Sequence, residues 1–101
     1  MTEQDEFSMI AQELIGTWIR DKTSDEYLYV YDYYNWGRDR DVKLCCIAIY
    51  PGDGVIIPYI KDSEVWMSEF KEYYRKVPKD KGNKAWKKIK EYYDKVFMVK
   101  E

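Results

Sequence analysis

The sequence contains no histidine, only two cysteines, three prolines and five glycines in 101 residues. Without histidine the chain lacks both the commonest general base and the commonest metal ligand. Its cysteines, Cys45 and Cys46, are adjacent. Neighbours in a strand point to opposite faces, so a disulfide between them would be strained, and two thiols alone do not complete a tetrahedral zinc site. That pattern argues against a disulfide-stapled secreted domain. No run approaches the ~18 apolar residues of a membrane span. The first residues, Met1-Thr2-Glu3-Gln4-Asp5-Glu6, are acidic where a secretory signal is basic. The expectation is one domain, residues 1–101, in the cytoplasm, with no membrane partner and no cofactor.

Catalytic patterns are equally scarce. Asp39, Asp41 and Asp53 fall in expected loops, where aspartate usually serves as a turn former. Gly52-Asp53-Gly54 has neither the length nor the Lys-Ser/Thr ending of a phosphate loop. A cysteine nucleophile here would have no histidine beside it. The chain therefore reads as a non-enzyme.

What it has in abundance is tyrosine, at 11 residues, within an aromatic content of 18%. Charged residues reach 36%, above the ~25% of an average domain, but an apolar content of 46% is too high for disorder. The charge is also segregated. Residues 1–70 carry 6 Lys/Arg against 14 Asp/Glu, a net of −8, whereas residues 71–101 carry 11 against 5, a net of +6.

Along the chain, Thr2 and Asp5 read as a helix start, Phe7, Ile10, Ala11 and Leu14 recur at helical spacing, and Gly16 is a natural stop. Strand chemistry follows over residues 17–20, 26–34, 42–50 and 55–60, with turns at 21–25, 35–41 and Pro51-Gly52-Asp53-Gly54. Pro58 cannot donate to a ladder and places the last of these strands at a sheet edge. Asp62 or Ser63 then reads as an N-cap for a helix with a Trp66, Phe70, Tyr73 and Val77 stripe that Pro78 ends. A final helix from about Asn83 shows Trp86, Ile89, Tyr93 and Val96. The expected class is α+β, a four-stranded antiparallel meander with one helix before it and two after, α-β-β-β-β-α-α. Lys71–Val77 and Lys90–Val96 differ only at Arg75 against Asp94, which raises the reading of a duplicated helix.

Strict alternation in the long strand places Tyr27, Tyr29, Tyr31 and Tyr33 on one face. The next strand is apolar on both faces, so the sheet needs two coverings, and any part of the tyrosine face the helices leave open would meet a partner or a second copy of the chain. Tyrosine suits such a surface because it buries a rigid ring yet keeps a hydrogen-bonding tip. With Trp36, Arg38 and Arg40 beside it, this face is the candidate protein-binding site, as in small accessory or inhibitory proteins, phage-encoded or mobile-element antagonists of host defence among them. The alternative is a nucleic-acid-binding accessory protein using the basic final helix through Lys84, Lys87, Lys88, Lys90 and Lys95. A homo-oligomer that hides the tyrosine face is a third reading.

Overall fold

A computed structural model describes residues 3–36 and 41–98. The Thr2 cap and residues 37–40 of the expected turn lie outside them. Helix α1 (Glu3–Leu14) leads into strand β1 (Trp18–Asp21), then β2 (Tyr27–Trp36), β3 (Asp41–Tyr50) and β4 (Tyr59–Trp66). These are followed by a short helix α2 (Met67–Tyr73), strand β5 (Tyr74–Val77) and the 20-residue helix α3 (Lys79–Met98). The strands form one sheet in the order β4-β3-β2-β1-β5, with every neighbouring pair antiparallel. The first three strands follow the expected meander, but the fourth, expected over residues 55–60, is instead Tyr59–Trp66: Asp53 accepts the N–H groups of Val55 and Ile56 and holds them in the turn, so the edge strand begins only after Pro58.

Helix α1 ends where Gly16 adopts a φ of 83°, a left-handed conformation that side-chain-bearing residues adopt at a cost. The turn sends the Gly16 N–H to the Val30 carbonyl and the Thr17 N–H back to Leu14. This lays Phe7, Ala11 and Leu14 over one face of the sheet, against Ile19, Leu28, Val30, Val42, Leu44, Cys46 and Ala48. Met67 and the half-buried Phe70 bring α2 onto the same side. Helix α3 covers part of the opposite face, where Ala85 and Ile89 close on Trp18 and Ile49. Both faces of β3 are thus engaged, as its apolar run from Leu44 to Tyr50 demands.

Three further expectations are corrected. The helix expected from an N-cap at Asp62 or Ser63 to Val77 is instead the second half of β4, the two turns of α2 and the fifth strand, so the sheet has five strands and not four. The residue before a proline is driven out of the helical region, so Val77 before Pro78 is extended, and β5 pairs along β1, which would otherwise be a bare edge. Pro78 therefore does not end a helix. It precedes α3, its carbonyl accepting from Lys81 and Gly82, and the final helix starts earlier than Asn83. The two similar heptads consequently differ in structure, one divided between α2 and β5 and the other wholly within α3, which removes the duplicated-helix reading.

The strict alternation of the tyrosines is also broken. Val30 pairs with Cys46, but Asp32, two residues on, pairs with Cys45, so Tyr31 is the extra residue of a bulge. Beyond it the phase inverts: Tyr33 turns to the α1 face, where its hydroxyl accepts from Gln12 at 2.8 Å, and Tyr34 takes its place on the other face. The physical reason is Asp32, which unbroken alternation would send into the α1 core beside Val30, where an unpaired carboxylate is costly. Since the ladder is in register on both sides of the bulge, deleting Tyr31 joins two matching halves. We expect the deletion variant to unfold cooperatively in urea with a loss of about 1 kcal/mol or less. Loss of the cooperative transition would refute the bulge.

Candidate functional site

Helix α3 is held to the sheet by a close approach at Gly82. This glycine is buried, and a Cβ built on it would overlap Cγ and both Cδ atoms of the Trp18 indole. The helix backbone therefore rests on the ring, and the indole Nε1 donates to Asn83 Oδ1 at 3.2 Å. One turn on, Ala85 is again small enough to sit against the sheet, and Ile89 is fully buried. Docked on this line, α3 divides its face of the sheet into two hollows.

On the flank carrying Asn83 and Trp86, a cavity of about 450 Å³ opens between helix and sheet, lined by Trp18, Tyr29, Ile47, Ile49, Ile60, Asn83 and Trp86. Tyr29 meets Trp18 edge-on, with ring centroids 5.2 Å apart. Cross-strand pairing sets the floor, Tyr29 opposite Ile47 and Ile49 opposite Ile60, so three strands present apolar side chains to one space. Tyr29, Tyr31, Ile60 and Trp86 remain 36%, 50%, 39% and 43% exposed, which leaves a continuous aromatic and aliphatic surface that α3 is too narrow to cover.

Farther along the same face, charged and aromatic groups replace aliphatic ones. Tyr34 donates its hydroxyl to Glu64 at 2.8 Å, Lys43 lies 3.4 Å from the same carboxylate, and the Lys43 ammonium stands 4.4 Å from the centre of the Trp66 ring. The Tyr34 hydrogen bond is the main reason the Glu64 carboxyl is held below its ordinary range, and the same bond raises the phenol. The two thiols occupy opposite faces: Cys46 is buried in the α1 core, while Cys45 faces this surface half-buried. Burial first, then the neighbouring Asp32 and Glu64 carboxylates, push the Cys45 thiol up, which suppresses its reactivity as a nucleophile.

The sequence candidates are thus distributed unevenly. Tyr29 and Tyr31 lie on the exposed aromatic surface, Tyr27 is half-buried beneath Arg20 on the other flank of α3, and Tyr33 is on the opposite face of the sheet. Trp36 is the last residue of β2, and Arg38 and Arg40 lie outside the described residues. Among the basic candidates, Lys84 and Lys88 line one hollow and Lys95 continues their arc two turns on, whereas Lys87 and Lys90 point along other arcs of the helix. Trp18, Ile47, Ile60 and Trp86 were not selected from the sequence as site residues. Trp86 sits in a regular helical stripe, the usual mark of a core position, and only the cross-strand register reveals that Ile47 and Ile60 meet on the same floor.

Asp53, considered above as a carboxylate for catalysis, accepts the backbone N–H groups of Val55 and Ile56 at 2.8 and 2.7 Å and so fixes the β3–β4 turn. These bonds, that to Ile56 first, together with a hydrogen bond from Tyr50, lower its pKa. Among the described residues no helix is long and apolar enough to cross a membrane. Comparisons with family models, with curated proteins and with solved structures return no match to this chain.

Proposed function

We propose that the chain is a non-enzymatic protein-binding module, its partner docking on the aromatic surface beside α3. The observation that carries this reading is the set of half-exposed side chains at the 450 Å³ cavity, Tyr29, Ile60 and Trp86, together with the exposed Tyr31 two residues along β2 from Tyr29. A hollow of this size receives one large anchor side chain, and tryptophan and tyrosine are the residues that most often dominate binding energy at such contacts. Polar groups at its margins, Asn83 on one side and the Tyr34, Lys43 and Glu64 cluster farther along, supply the rim that a specific interface needs. Small size and tyrosine-rich composition fit an accessory or inhibitory protein of phage or mobile-element type that blocks a host defence protein.

The test is affinity capture from the natural host lysate with the wild type, a Tyr31→Ala, Trp86→Ala double variant and a Lys87→Ala control, each first shown to melt like a folded protein. Proteins retained by the wild type and the control should be lost by the double variant. For a purified partner, each hot-spot ring removed should weaken binding about thirtyfold, the equivalent of ~2 kcal/mol. An identical set of captured proteins for all three sinks the reading. So does light scattering that shows a dimer at micromolar concentration which the double variant dissolves, since the surface would then be closed by a second copy.

A further inference from the structure

The other flank of α3 carries a second and chemically different hollow. Lys81, Lys84 and Lys88 follow one another at intervals of three and four residues, so they fall within a narrow arc of the helix and project toward the end of the sheet formed by β1 and β2. One hollow there is lined by Arg20, Tyr27, Lys81, Lys84 and Lys88, and a second by Arg20, Tyr27, Arg75 and Lys81 among others. Because they share Arg20, Tyr27 and Lys81, they form one groove. Its floor contains an ordered cation: the Arg20 guanidinium lies 5.1 Å from the centre of the Tyr27 ring, while its Nε and Nη2 donate to the Ser24 carbonyl and to Asp25, each at 2.8 Å. Among the described residues, Asp25 is the one carboxylate that forms an ion pair with the groove. Arg75, Lys81, Lys84 and Lys88 have no ion-pair partner among the described residues, so four positive charges converge on one concavity uncompensated.

We propose that this groove binds single-stranded nucleic acid, with the lysine row and Arg75 tracking phosphates and the Arg20–Tyr27 pair offering a flat surface to an unstacked base. Three features favour that ligand over an acidic protein. The cations are arranged in a line, as a regularly charged backbone requires. The floor presents a planar guanidinium lying over an aromatic ring and held there by two hydrogen bonds, a stacking platform that a carboxylate chain has no use for. The groove is concave, which admits a flexible strand and leaves nothing protruding to enter a duplex groove. The site is separate from the aromatic surface on the far side of α3 and stands or falls independently of it.

Fluorescence anisotropy with a labelled oligothymidylate of about a dozen nucleotides, within the usual single-strand site size, tests the proposal. Four phosphate contacts predict that log K falls against log salt with a slope of about −3, roughly a fiftyfold loss between 50 and 200 mM. Lys84→Gln with Lys88→Gln, both exposed and both replaced by a good helix former, should halve the slope, whereas Tyr31→Ala with Trp86→Ala should leave it unchanged. Poly-glutamate at equal charge should compete poorly, and a blunt duplex of the same length should bind more weakly than the single strand. No binding at 50 mM salt, an unaltered slope in the lysine variant, or equal competition by poly-glutamate or duplex would each overturn it.

Discussion

Replacing Gly82 by alanine is expected to destabilise the protein by roughly 2 to 4 kcal/mol, although alanine is the better helix former by about 1 kcal/mol. The new methyl group falls on the indole of Trp18, not on the end of a flexible side chain. Trp18 cannot yield easily. Its ring is held edge-on by Tyr29, its Nε1 is bonded to Asn83, and β1 is clamped between β2 and β5. Helix α3 must therefore lift, and lifting uncovers Ile49, Ala85 and Ile89 together. For a domain of this length such a loss lowers the midpoint of thermal unfolding by roughly 10 to 20 °C. Both hollows would be lost with it, because Trp86 and Asn83 on one flank and Lys81, Lys84 and Lys88 on the other are placed by the same contact. A Trp18→Leu change should recover part of the loss in the Gly82→Ala background, and the double-mutant cycle measures the coupling between the two positions. A stabilised Gly82→Ala protein would show that helix propensity alone governs this position and that α3 does not rest on Trp18.

This glycine also marks where sequence reasoning reached its limit. In isolation Lys81-Gly82 reads as a helix breaker, which delays the expected start of the last helix to Asn83, whereas the residue serves to bring a helix onto a ring inside its second turn. The meander was legible for the opposite reason. Val42 to Tyr50 and Tyr27 to Tyr34 carry β-branched, aliphatic and aromatic residues in runs that no helix period fits, and Asp53 sits between two glycines of φ 86° and 91°. The fourth strand was placed too early, because Val55-Ile56-Ile57 has strand chemistry yet belongs to the turn that Asp53 fixes. Residues 71–77 were not legible, because Lys-Glu-Tyr-Tyr-Arg-Lys-Val has no strong local preference. With Pro78 behind it and the open edge of β1 beside it the segment ends as a strand, and within α3 nearly the same heptad is helical. Of the candidate site, the sequence identified Tyr29 and Tyr31 through alternation but carried that alternation one residue too far, since a bulge leaves no mark except an aspartate out of phase. The hollows beside α3 depend on long-range register and on a helix crossing the sheet, and neither has a local signature.

Cys46 leads to the second large effect, a loss of stability in alkali. Buried against α1 and the neighbouring strands, its thiol is pushed up to about 12 from an ordinary value of 9.0, by burial first and then by Cys45. Below pH 9 the thiol is protonated whether the chain is folded or not, and the stabilisation is fully present. Between pH 9 and 12 the unfolded chain releases a proton that the folded chain retains, so stability falls as pH rises, by up to ~1.4 kcal/mol per unit for one group. By pH 10.5 this amounts to roughly 2 kcal/mol, a large part of the total for a domain of this size. Tyr50 and Tyr59 act in the same direction from about pH 10: hydrogen bonds to Asp53 and to Glu26 respectively raise both phenols to about 12. Urea midpoints at pH 7.5, 9 and 10.5 should therefore fall steeply for the wild type. A Cys46→Ala variant should start lower at pH 7.5, because a small core cavity is left, and converge on the wild type as the pH rises. Parallel curves for the two proteins would assign the alkaline loss to the tyrosines and place the Cys46 thiol in contact with water.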